Sequence, residues 1–180
     1  MRTFPTALMF VAAMAFGGQA VAQTPPPGPP PQTPSGGTPE QMPFATPYGT
    51  PITADRAATI VAAVRAEAQK HPTWRFNIAV VDPNGDLVYF YRMDGAQLAS
   101  IAISQGKART AVRYRRETRV WYNAYEAGHS YIGTLDPTLI ASPGGFPLIE
   151  NGKIIGALGC SGGTGDQDAT VCGAGAATIK

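Results

Sequence analysis

Several groups of residues in this 180-residue chain have types and spacings suited to chemistry. His129 stands alone among the aromatics of WYNAYEAGHSYIGTLDP, residues 121–137. A neutral imidazole there can ligate a metal or haem iron, or act as a general base. It is equally an ordinary surface or core residue. Arg109, Arg113 and Arg116 lie three or four positions apart, which predicts one shared helix face. Such a face suits carboxylates, among them haem propionates or a small organic acid, and also a solvated surface or an oligomer contact. Asp166 and Asp168 stand where they can cap a terminal helix or work as acid and base. His71, beside Pro72, reads as a capping side chain at a helix C-terminus.

Gly159-Cys160-Ser161-Gly162-Gly163 fits the G-x-S-x-G pattern of a hydrolase nucleophile elbow. That fold needs its histidine after the serine, whereas His71 and His129 both precede Ser161. These glycines are therefore assigned to a sharp turn. A phosphate loop is excluded too, because the Lys-Ser/Thr ending that grips phosphate is missing.

These residues belong to a chain with three parts. Met1 to Ala22 has one early cation, Arg2, an apolar run from Ala7 to Phe16, and Ala20-Val21-Ala22. The run is half the roughly 20 residues that a membrane-spanning helix needs, so residues 1–22 read as a signal peptide cleaved after about Ala22. The expected location is periplasmic or secreted, with no membrane span in the mature form. Residues 23–51, beginning TPPPGPPPQTP after Gln23, read as a proline-rich disordered tether with too few apolar side chains to offset ordering entropy. Residues 52–180 form the folded unit, about 130 residues around one core.

The formal charge of +2 says little by itself, but six of the cations fall between Lys107 and Arg119, where Glu117 is the one acid. Nucleic acid is not expected as a partner, since the chain reads as exported and has no recognition motif. Export also bears on Cys160 and Cys172. In an oxidising compartment they are expected to pair, stabilising the fold by about 3 kcal/mol through loop entropy.

The elements that must position these groups follow from periodicity. Thr53 is a good N-cap, and Ile60, Val61, Val64 and Ala68 recur at helical spacing until His71-Pro72. Phe76 to Val81, the turn Asp82-Pro83-Asn84-Gly85 and Leu87 to Arg92 predict a hairpin. A helix is expected over 98–119, then a helix end and loop through Pro137. Phe146 to Glu150 and Lys153 to Gly159 flank Asn151-Gly152, whose positive-φ tolerance predicts a second hairpin with a type I′ turn. A small-residue helix from Ala169 to Ile179 ends the chain. The pattern is an α+β domain with a mostly antiparallel sheet of about five strands and flanking helices.

Four blocks carry a resemblance. Lys107-Ala108-Arg109-Thr110-Ala111, Gly144-Gly145-Phe146-Pro147-Leu148, Asn151 to Gly159, and Ser161-Gly162-Gly163-Thr164-Gly165-Asp166-Gln167-Asp168 closely resemble the GlcG/HbpS family, also called the haem-degrading domain family. The resemblance implies a profilin- or PAS-like sheet flanked by helices, assembly into a homo-oligomer, and haem as cofactor. It places Lys107 and Thr110 beside the ligand.

Two functions and one bland role follow. As an exported haem-binding protein that senses, stores or degrades haem, the chain would use Trp121, Tyr122 and Tyr125 against the porphyrin. Arg113 or Arg116 would meet the propionates, and Thr110 or His129 the iron. As a cofactor-free enzyme for a small carboxylate or hydroxy acid, it would use the Gly144-Gly145 N–H groups as an anion nest and Asp168 or His129 as general base. A structural or sensing module would do neither.

Overall fold

The computed structural model describes residues 44–180; the predicted signal peptide and most of the tether lie outside the described residues. Four helices and four strands follow in the order α1 Ala54–Ala68, β1 Asn77–Val81, β2 Leu87–Arg92, α2 Ser100–Tyr114, α3 Arg119–Glu126, β3 Gly145–Glu150, β4 Lys153–Ser161 and α4 Gly165–Ala176. A short 3-10 turn, Ser130–Thr134, follows α3. The sheet order is β2-β1-β4-β3, and every neighbouring pair is antiparallel.

The two central strands are buried on both faces, which explains their near-continuous apolar runs. Ile78, Val80, Leu158 and Cys160 pack with Ile60, Val61 and Val64 of α1 and Val171 and Cys172 of α4. Val81 and Ala157 pack on the other side with Ala108, Ala111 and Val112 of α2. The result is α1 and α4, then the sheet, then α2. Gly159 permits the close seat of α2, because a β-carbon there would collide with the Ser104 carbonyl oxygen.

Local signals are realised where they were strongest. Thr53 caps α1, its hydroxyl accepting from the Arg56 N–H at 3.4 Å. Asn151 and Gly152 both have positive φ, 49° and 72°, as the type I′ turn requires. Cys160 and Cys172 are disulfide-bonded, tying β4 to α4 with Cα atoms 5.6 Å apart.

Four expectations need correction. The sheet has four strands rather than about five. A single parallel bridge, Tyr48 to Ile154, stands beside β4 where another strand would run. The Ile154 N–H donates to the Pro47 carbonyl, and the Gly49 N–H to the Ile154 carbonyl, both at 2.8 Å. Pro47 and Pro51 have no N–H to add to that ladder, and bonding to β4 resumes where the Ile52 N–H donates to the Ile155 carbonyl at 2.8 Å. Through these contacts Pro47, Tyr48 and Gly49, within the span read as tether, meet the start of β4.

The helix expected over 98–119 is two helices, because Arg115 adopts the left-handed conformation at φ 56° and ends α2. Arg115 holds this position through bonds from its guanidinium to the carbonyls of Phe44 and Thr46, with Tyr48 beneath it. The chain then re-enters a helix, so the expected loop after Val120 is α3 followed by the 3-10 turn. Finally, Asp166 and Asp168 do not cap α4. Thr164 does, in a reciprocal capping box with Gln167.

Candidate functional site

The sequence blocks converge at one end of the sheet, where α2 and α4 meet past the start of β3 and the end of β4. The Lys107 ammonium donates to Asp168 Oδ2 at 2.5 Å and to the Pro143 carbonyl at 2.7 Å. Asp168 Oδ1 accepts the N–H groups of Gly162 and Gly163, each at 3.0 Å. Both charged side chains are buried, 0% and 3% exposed. Burial pushes Lys107 below its ordinary range, opposed by the charge of Asp168. Burial likewise pushes Asp168 up, opposed by Lys107 and by the Gly163 and Gly162 N–H groups. With their partners in place, the two charges bolt the helical layers together.

The Gly144-Gly145 pair closes this end. The Gly145 N–H donates to the Thr118 hydroxyl at 2.9 Å, and the Gly145 carbonyl accepts from the Thr118 N–H at 3.0 Å. A β-carbon on Gly145 would meet the Lys107 carbonyl oxygen at 2.5 Å. Thr118 is fully buried and central here, yet sequence reasoning passed over it. Its one signal was its place just before the tryptophan helix. Thr110 is also buried, and its hydroxyl accepts the Ile140 N–H at 3.0 Å.

The arginines separate. Arg109 bonds to the Gly85 carbonyl at 3.2 Å, and Arg113, exposed one turn later, donates to the Thr138 hydroxyl at 3.0 Å. Arg116 lies beyond the helix end, so it leaves their face. Its guanidinium sits between the rings of Phe44 and Trp121, 3.3 and 4.7 Å from their centroids. Burial lowers its pKa.

The remaining candidates gather on an arm made of α3 and the 3-10 turn. Trp121 points inward, stacked edge-on against Tyr114 at 4.8 Å. Tyr122, Tyr125 and Tyr131 point outward, exposed by 39%, 37% and 60%. His129 is half-buried between the two helical pieces, its ring edge-on to Tyr131 at 6.0 Å. The arm's return is stapled to α2. Tyr114 donates to Asp136, whose other carboxylate oxygen accepts from the Thr138 hydroxyl and N–H.

Haem asks for an axial donor, flat apolar contact and cations for its propionates. His129, the three exposed tyrosines and Arg113 are of the residue types that answer this demand, and His129 and Tyr131 are in ring contact. Thr110 and Lys107 do not fit as direct ligands, since both are buried with their polar atoms engaged. Among the described residues, no group of three or more His, Cys, Asp or Glu is arranged to hold a metal ion. No helix among them is long and apolar enough to cross a membrane.

Comparison with known proteins agrees with this fold. The family model described as "Haem degrading protein HbpS-like" matches residues 52–177. The chain belongs to the HbpS-like family. It is 42% identical to Protein GlcG of Escherichia coli K12 over 110 residues, 61% of this chain and 81% of that protein. The crystal structure of HbpS aligns with a TM-score of 0.66 at 28% identity, covering 73% of this chain and 92% of that one. A PduOC:heme complex aligns with the same TM-score at 25% identity, covering 73% and 96%.

Proposed function

We propose that this protein is an exported haem-binding member of the HbpS-like family, with haem seated on the arm formed by α3 and the 3-10 turn. The observation that carries the proposal is the exposed surface of Tyr122, Tyr125 and Tyr131 on the same arm as His129, whose ring lies edge-on to Tyr131. Its context supports the same function, since the fold is shared with HbpS and with a chain crystallised with heme.

In this role His129 would hold the iron through its imidazole, and the tyrosine rings would supply apolar contact that excludes water. Arg113 is the cation for a propionate. Thr110 acts through structure, holding Ile140 and with it the arm's return. Bound haem supplies a redox-active iron. The signal-peptide reading of residues 1–22 supports export, and a second copy of the chain would complete the enclosure of the haem.

The small-acid enzyme finds less support. The Gly145 N–H, half of the expected anion nest, is taken by Thr118, and Asp168 is held by Lys107.

The test is a haemin titration of the purified chain followed at the Soret band, with a control for non-specific uptake. Saturable, stoichiometric binding is expected, with a changed iron spectrum in His129→Ala. A non-saturating response overturns haem binding. An unchanged spectrum in the variant overturns the ligand assignment. Sedimentation with and without haemin tests the shared site.

A further inference from the structure

A cleft of about 380 Å³ opens between the end of α1, the 69–75 turn and β2, away from the arm. Arg65, Gln69, His71, Pro72, Arg75, Tyr91, Met93 and Asp94 line it, and none of these serves the haem proposal. The volume lies within the range of small-molecule sites.

Two guanidiniums and one carboxylate line it without pairing to one another among the described residues. The Arg65 guanidinium lies over the Tyr91 ring, 4.2 Å from the centroid, which fixes its plane and leaves its N–H edge open. Among the described residues it has no carboxylate or carbonyl partner. Arg75 donates one bond, to the Trp74 carbonyl at 2.7 Å. Asp94 accepts no hydrogen bond and forms no ion pair among the described residues, although two guanidiniums share its cleft. His71, on the cleft wall, is stacked on Trp74 at 3.6 Å and 14°.

We propose that this cleft binds a zwitterionic α-amino acid with an apolar side chain. The carboxylate meets the edges of Arg65 and Arg75, as bidentate guanidinium recognition favours. The ammonium meets Asp94, and the side chain lies on Met93 and Pro72. A plain carboxylate would face the Asp94 charge unpaired, and a plain amine would face two guanidiniums. The zwitterion satisfies both.

The test is calorimetric titration of the full chain with L-leucine, and separately with its two halves, 4-methylpentanoate and 3-methylbutylamine. Leucine is expected to bind saturably, and each half about tenfold or more weaker. Arg65→Gln and Asp94→Asn, both at accessible surface positions, should each weaken leucine by at least about tenfold, while His129→Ala leaves it unchanged. Circular dichroism checks that the variants fold, and Asp94→Asn alone suffices if Arg65→Gln does not. No saturable leucine binding, equal binding of either half, or full binding by the folded variants overturns the proposal. Each result is independent of haem.

Discussion

Replacing Lys107 by methionine strands the Asp168 carboxylate among buried groups with only the Gly162 and Gly163 N–H bonds to hold it. Loss of one member of a buried ion pair costs about 3–5 kcal/mol. The structure narrows this, because a stranded carboxylate can escape by taking up a proton. From an ordinary pKa near 3.9, remaining protonated at pH 7 costs about 4 kcal/mol at roughly 1.4 kcal/mol per unit, so the deficit has a ceiling near that value. The sign of the pH dependence follows. The folded variant has a raised Asp168 pKa and binds a proton that the unfolded chain has released, so its stability falls as pH rises between the two values. Urea unfolding of wild type and Lys107→Met at pH 5, 6 and 7 measures this. The expected deficit is about 3–4 kcal/mol at pH 7, narrowing by up to about 1.4 kcal/mol per unit toward pH 5. A deficit below about 1 kcal/mol, or one independent of pH, would refute the claim that the pair is desolvated.

Thr118→Val keeps the shape of the side chain but leaves the buried Gly145 N–H without its acceptor, an expected loss of about 1–3 kcal/mol in the same assay. Joint replacement of Cys160 and Cys172 by alanine opens a loop whose ends are 12 residues apart. It should lower stability by about 3 kcal/mol or more, read from the urea midpoint. Asp136 is held below the usual carboxylate range first by the Thr138 hydroxyl, then by the Thr138 N–H and Tyr114. Its contribution is present above the unfolded pKa and disappears as pH falls through the depressed folded value. Amide protection in residues 130–140, corrected for the intrinsic pH dependence of exchange, should therefore fall in that acidic window in wild type, but not in Asp136→Asn.

The fold was legible where physics is local. Thr53, Asn151-Gly152 and the runs on β1 and β4 act over a few residues, and the structure has a cap, a turn and two central strands there. The α2 boundary was not legible, because basic spacing continued through Arg115 and only the distant carbonyls of Phe44 and Thr46 stabilise its left-handed turn. The roles of Asp168 and Gly145 were obscured for the same reason: their partners, Lys107 and Thr118, lie 61 and 27 residues away.

By itself, then, the sequence determined the α+β class, the two hairpins, the cysteine pair and the family, all of which rest on short-range pattern or on ordered motif blocks. Only the tertiary structure decided which polar residues are engaged inside the fold and which face outward. Lys107, Thr110, Gly145 and Asp168 belong to motif blocks and turn out to be internal fastenings, while Tyr131, Arg65 and Asp94 carried no motif and face outward. Burial and hydrogen-bond satisfaction depend on which distant segments pack together, and no spacing along one chain specifies that.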